Sequence, residues 1–369
     1  MGIYILLYSL LFLCIFFDAK RIKGIDRTYI VYFFVIVFTL FNGLRWETGT
    51  DWENYYNIFY GAEWDNVFRY YLNSNITIEY GYVLINLIVK KLTGHYTFFL
   101  LISNFFILYT YAQFSLKYST SPILCFSALL TSTNFFPVRQ HIAIAVVMYA
   151  FTSILNKSFL KFVLFVFIAS TIHRAAIIFL PFYFIGKYNW SFIGYCLVLT
   201  GSLLITNILP QVMLGVLSNI LFVGDSSMTK LSRYAGEIKK NLSGFGRSYI
   251  NVVFNFIFFC AYYLIIKVKK KTEGKNNLVF FLNAFVVMSV FQNVFASMMQ
   301  ELARVANFFL FGGPVLMGEL LSLGKKSRFK SWWFAFFGML LLLLFYRLYK
   351  TLHNYPELHF PYNSILFYL

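Results

Sequence analysis

Pro122-Ile-Leu-Cys-Phe-Ser-Ala-Leu-Leu-Thr-Ser-Thr-Asn-Phe-Phe-Pro137 decides how the rest of the chain threads. The run is apolar, yet shorter than the roughly 17–25 residues that a membrane helix needs. If residues 122–136 cross, Lys157 and Lys161 land outside the cell and every later loop inverts with them. The strongest basic clusters, Lys267 to Lys275 and Lys325 to Lys330, would then also be external. If the run dips in and returns, all of these are cytoplasmic, as the bias of Lys and Arg toward cytoplasmic loops requires. The break at Asn134-Phe-Phe-Pro137 suits a piece of non-spanning chain buried in protein. A re-entrant segment is the expectation.

Composition sets the class. Of 369 residues, 60% are hydrophobic, 22% aromatic and only 12% charged, whereas soluble domains carry about 25% charged residues. The net charge of +17 sits in short clusters between apolar runs, which orients helices in a bilayer and leaves no basic soluble face for nucleic acid. Cys14, Cys125, Cys196 and Cys260 lie singly in or near apolar runs, so neither a disulfide framework nor a metal site is expected. Basic residues are absent before the first apolar run and abundant after it, the reverse of a cleavable signal.

The reading is an all-α polytopic membrane protein with a single integral membrane domain over residues 1–369 and about twelve transmembrane helices. The spans fall at about 3–17, 28–44, 79–93, 96–116, 138–155, 160–172, 175–187, 190–209, 249–267, 277–299, 305–323 and 332–349. Outer loops follow at about 45–78 and 224–248, and basic cytoplasmic loops at 18–27, 267–276 and 324–331. Residues 210–223 are a further apolar piece at the interface or at the start of the second outer loop.

On this threading the unusual polar residues gather at the outer face. The first outer loop offers Arg45, Glu47, Asp51, Glu53 and Tyr55 among Trp46, Trp52 and Tyr56. Glu79 opens the next span, Arg139-Gln140-His141 follows Pro137, and His173-Arg174 interrupts the apolar stretch from Phe162 to Phe184. Glu301 and Arg304 interrupt another, and Pro361-Tyr362 lies in the tail. Ionisable residues at such depths are costly and are usually paired or functional. Each has a plainer alternative. Glu301 and Arg304 match a surface ion pair one turn apart, Arg174 can snorkel to headgroups, and His173 can be a satisfied interfacial histidine. The aromatic residues of 46–60 fit an interfacial belt. Arg139 has the weakest alternative, with no acid near it in sequence.

Several arginines beside acids on one face suit transfer from an anionic leaving group. Guanidinium supplies forked donors that match phosphate oxygens, and a sugar hydroxyl acceptor needs a general base, for which Asp51, His173 and Glu301 are candidates. No His, Asp or Glu pair has metal-ligand spacing, and Gly324-Lys325 lacks the preceding glycine of a phosphate loop because Glu319 stands there. No cofactor is expected.

Arg45-Trp46 with Gly49-Thr-Asp51 and Tyr55 resembles the signature of the EpsG family of bacterial polysaccharide proteins. The likeness continues through Glu79-Tyr-Gly81, Arg139-Gln140, His173 before Leu180-Pro181, Arg304, and Pro361-Tyr362. Trp46-Glu47 and Asp51-Trp52 stand where the family more often shows tyrosines. The resemblance implies a Wzy-type polymerase of O-antigen or exopolysaccharide with GT-C-like glycosyltransferase architecture. It implies an undecaprenyl-pyrophosphate-linked oligosaccharide as substrate, at the periplasmic face of the bacterial inner membrane. A chain-length regulator and a flippase of the same pathway are the implied partners. Carried over by position, Arg45, Arg139 and Arg304 hold pyrophosphate, and Gln140, Glu79, Glu301, Tyr55 and Tyr362 line the substrate. Asp51 and His173 are the competing catalytic residues.

Two other classes compete. A flippase for the same lipid-linked unit would show internal repeats and mid-membrane charges; no convincing repeat is found. A membrane O-acetyltransferase would need a cytoplasmic route for its acyl donor, and both histidine-arginine sites face outward on this threading.

Overall fold

A computed structural model describes residues 2–20, 26–49, 51–72, 76–132, 136, 138–205, 245–273, 277–295, 303–323, 330–354 and 356–368. The expected interfacial piece 210–223, nearly all of the outer loop 224–248, Pro137 and Glu301 lie outside these residues. The chain falls into two compact units, Met1–Leu180 with Met317–Leu369, and Pro181–Leu316.

The first unit begins with α1 (Gly2–Lys20) and α2 (Arg27–Gly43). Asp18, 1% exposed, ties their shared end: its carboxylate meets the Arg27 guanidinium at 3.5 Å and accepts from the backbone N–H of Leu124 at 2.9 Å. Leu124 belongs to α6 (Pro122–Thr131), so Asp18 caps the orphan amides of a helix more than a hundred residues away. Glu319 does the same for the N–H of Thr120 at 3.0 Å. All ten residues of α6 are buried, as a helix apolar on every side must be.

Between α2 and α6 come α3 (Trp52–Gly61), a short hairpin of β1 (Tyr70–Leu72) with β2 (Ile76–Ile78), α4 (Tyr80–Thr93) and α5 (Tyr96–Tyr118). In the antiparallel hairpin Tyr70 faces Ile78 and Leu72 faces Ile76. Lys90, near the far end of α4, donates to the carbonyls of Tyr60 at 2.6 Å and Ala62 at 3.0 Å. Tyr96 then packs on Trp52, Tyr56 and Phe59. The described residues between Leu44 and Tyr96 therefore stay at one end of the unit. From there α5 runs antiparallel to α2, and at its far end Arg27 donates to the carbonyl of Thr120 at 3.0 Å.

This geometry corrects the re-entrant segment. The run after Pro122 starts beside Asp18 and Arg27, and its Phe136 carbonyl accepts from Arg45 at the opposite end, at 3.1 Å. It traverses the unit instead of returning. Its ten helical residues are too few for a bilayer, but they need no lipid-facing length because other helices enclose them. The span expected at 79–93 is the compensating error, since α4 stays at the Arg45 end. The two shifts cancel for α7 (Arg139–Leu155) and α8 (Phe159–Ile172). Arg139 and His173 remain at the Arg45 end, while Lys117 moves to the Arg27 end.

Five helical stretches among the described residues are long and apolar enough to cross a membrane, against the dozen expected: Gly2–Lys20, Tyr96–Tyr118, Val252–Lys271, Leu278–Phe295 and Phe334–His353. Six shorter apolar helices accompany them.

The second unit holds α9 (Phe182–Ile185), α10 (Phe192–Ile205), α11 (Phe245–Glu273), α12 (Leu278–Phe295) and the start of α13 (Gly312–Leu323). Its pin is Asn283, which donates to the carbonyls of Gly186 and Tyr188, both at 2.8 Å, and accepts from the Tyr195 hydroxyl at 2.6 Å. Each unit also contains the same seven-residue turn. Arg174-Ala-Ala176-Ile-Ile-Phe179-Leu180 and Arg304-Val-Ala306-Asn-Phe-Phe309-Leu310 both form a 3-10 helix headed by arginine, with the alanine and phenylalanine buried. The first unit closes with α14 (Lys330–Asn354) and α15 (Pro356–His359).

Candidate active site

Arg45 follows α2 after a single residue, where the chain turns into the loop that leads to α3. That loop cannot be satisfied by a helix ladder, so its backbone groups pair elsewhere. They pair with the C-terminal strap, residues 356–368. Trp46 N–H donates to the Asn363 carbonyl at 2.9 Å, Gly49 N–H to that of Leu358 at 2.8 Å, and Ile365 N–H to that of Leu44 at 2.9 Å. Arg45 itself forms a β-bridge with Ser364. Tyr362 stacks on Phe41 with ring centres 4.6 Å apart, and its hydroxyl donates to the Phe41 carbonyl at 2.6 Å.

Under this strap the Arg45 guanidinium is 2% exposed. It lies 4.6 Å over the Phe136 ring, and Nη1 donates to the Phe136 carbonyl. Nε has no hydrogen-bond partner, and among the described residues no carboxylate lies within ion-pair distance. Burial pushes this group down from its ordinary value, while the phenols of Tyr96, Tyr55, Tyr4 and Tyr362 push it back up. A guanidinium keeps its proton in proteins, so Arg45 is a buried cation with no counter-ion among the described residues. Phe136 has φ 58°, a left-handed backbone that a bulky residue rarely adopts. Gly49 has φ 106°, and a Cβ there would stand 3.2 Å from the Phe136 ring and 3.5 Å from Nη1 of Arg45. Only glycine lets the loop pass so close.

Arg139 opens α7 at the same end. Its Nη1 meets the Glu79 carboxylate at 3.0 Å, sixty residues away, and the other oxygen of Glu79 accepts from Arg174 N–H at 3.1 Å. Glu79 is thus a clasp joining the starts of α4, α7 and the first 3-10 turn. The close approach of α4 to α8 depends on Gly81, where a Cβ would come within 2.8 Å of the Thr171 backbone. Arg139 Nε, buried, also lacks an acceptor.

His173 is the half-buried link between α8 and its 3-10 turn, within electrostatic reach of His141, whose Nδ1 bonds the Tyr111 hydroxyl at 2.9 Å. Gln140 is half-buried at the second position of α7. Asp51 is exposed at the start of α3, where its side chain makes no capping hydrogen bond, and lies within electrostatic reach of Tyr96. Tyr55 sits 5.7 Å from Tyr82, ring to ring. Trp52 stacks on Tyr56 at 4.9 Å and is itself buried, so these aromatics pack on one another instead of forming an open belt. Arg45, Glu79, Arg139, Gln140, His173, Asp51, Tyr55 and Tyr362 therefore share one end of the first unit. Arg304 heads the turn of the second unit and is exposed.

The EpsG family model matches residues 28–364, from the first turn of α2 to the strap residue that bridges Arg45. The chain belongs to the EpsG family. Comparison with curated proteins and with solved structures gives no match. Membership of the EpsG family gives the coarse class, a membrane protein of polysaccharide-polymerase type with glycosyltransferase-like chemistry. Two residues near the strap escaped the reading of the sequence. His359, 3% exposed, lies beside Arg45, and Arg347 donates to the Ser132 hydroxyl at 3.1 Å. Arg347 had a visible signal, as a cation inside the apolar run of α14. His359 had none beyond its place two residues before Pro361.

Proposed function

We propose that this chain joins undecaprenyl-pyrophosphate-linked oligosaccharide repeat units into O-antigen or a related surface polysaccharide, at the outer face of the bacterial inner membrane. The observation that carries the reading is Arg45: a buried guanidinium with an unmatched Nε and, among the described residues, no carboxylate within ion-pair distance. Burying a charge without a partner is strongly unfavourable, and an oxyanion is the ligand that compensates it. EpsG family membership supplies the reaction class.

In this reading Arg45 and Arg139 hold the donor pyrophosphate, and Arg304 is the corresponding cation of the second unit. The acceptor hydroxyl oxygen attacks C1 of the donor sugar, the C1–O bond to pyrophosphate breaks, and the hydroxyl proton passes to Asp51 or His173. The free carboxylate of Asp51 and the position of His173 beside the Arg174–Glu79 contact keep both in play. About twelve spans in a GT-C-like arrangement, with a chain-length regulator and a flippase as partners, complete the proposal.

The test is polymer length in cells carrying Arg139→Ala, Asp51→Asn or His173→Ala, each with membrane insertion checked separately. Arg139→Ala should remove long-chain material while leaving single repeats on lipid. Only one of the other two should do the same, which names the base. Normal ladders from all three would sink the assignment.

A further inference from the structure

His359 belongs to no motif in the sequence, yet the strap delivers it to the buried cation. The residue is 3% exposed. Its own carbonyl accepts from the Tyr4 hydroxyl at 3.0 Å, and the carbonyl before it accepts from Gly49 N–H at 2.8 Å. Those two backbone bonds fix the position of His359 at the Arg45 end. The ring centre lies 6.1 Å from that of Phe136, the same ring that carries the Arg45 guanidinium, and 6.4 Å from that of Tyr4. Arg45 is within electrostatic reach of this side chain.

We propose that the imidazole of His359 is a further phosphate-binding group of the Arg45 site, neutral when the site is free and protonated when a pyrophosphate is bound. This rests on the polymerase reading and adds to it a group whose charge follows the ligand. Burial first, and Arg45 second, push His359 below its ordinary value, with Glu357 on the strap opposing them. Tyr4 from α1, whose ring centre lies 6.4 Å away, is a phenol and neutral near pH 7. An arriving pyrophosphate reverses the balance, because opposite charge favours the imidazolium. The proton comes from bulk buffer, and no covalent bond changes. The sign follows: binding takes up a proton, so affinity rises as pH falls from 8 toward 6. A fixed set of guanidinium donors alone would lack this added slope.

The experiment uses the full chain in detergent with farnesyl pyrophosphate as probe, titrated calorimetrically at pH 6 and pH 8 in buffers of differing ionisation enthalpy. Wild type should take up more protons on binding than His359→Gln. It should also gain about tenfold more affinity between pH 8 and pH 6 than the variant does, a difference that cancels the ligand's own protonation. Tyr4→Phe, which loosens the His359 carbonyl but keeps the imidazole, should retain the wild-type slope. If His359→Gln folds poorly, His359→Asn, which also removes the imidazole, supplies the comparison. Binding that requires Arg45 but shows equal slope and equal proton uptake with and without the imidazole would overturn the His359 assignment alone. No binding by wild type, or equal binding by Arg45→Ala, would overturn the pyrophosphate site itself.

Discussion

Arg45 and Arg139 stand at the same end of one unit, and their surroundings could hardly differ more. Arg139 has Glu79 at 3.0 Å and keeps about a quarter of its side chain, 24%, in contact with solvent. Arg45 is sealed at 2% exposure with a carbonyl and an aromatic face for company. Arg139 joins three element starts through Glu79 as well as serving the proposed pyrophosphate site, whereas Arg45 has no carboxylate within ion-pair distance among the described residues.

If that contrast is right, Arg45→Lys should be the most damaging conservative change. Lysine keeps the charge but not the forked donors, and turnover of a lipid-linked donor should fall about 10²–10³-fold. Near-normal turnover would mean that charge alone matters and that the two arginines are equivalent. Glu79→Gln and Arg139→Ala come next. In a double-mutant cycle followed by thermal unfolding their effects should be non-additive, with a coupling of about 1–2 kcal/mol for a partly exposed pair. Additive losses would show that the clasp is ornamental. The smallest expected effect is Gly49→Ala, about 1 kcal/mol in the same assay, from placing a Cβ at positive φ. Its activity should fall further than its stability, because the new methyl presses on the Phe136 ring beneath Arg45.

The sequence read well where a signal was local. α1 and α2 follow from apolar length and the Lys20–Arg27 punctuation, and the helix-end positions of Arg45, Arg139 and His173 from isolated charge in apolar surroundings. It read badly where two structures share one pattern. A short apolar run can be re-entrant, as expected for 122–136, or a core helix wrapped by others, as α6 is; hydropathy does not separate them. The Glu79–Arg139 clasp spans sixty residues, so the arginine that looked unpartnered in sequence finds its acid only through folding. The role of His359 depends on a strap whose pairing partners lie near the other end of the chain.

That strap has a consequence for biosynthesis. Ser364 hydrogen-bonds the carbonyl of Leu44 across 320 residues, so the Arg45 loop leaves the ribosome long before the strap can cover it. Until residues 356–368 have been made none of these contacts can form, so the strap closes over the Arg45 loop only after the later helices exist.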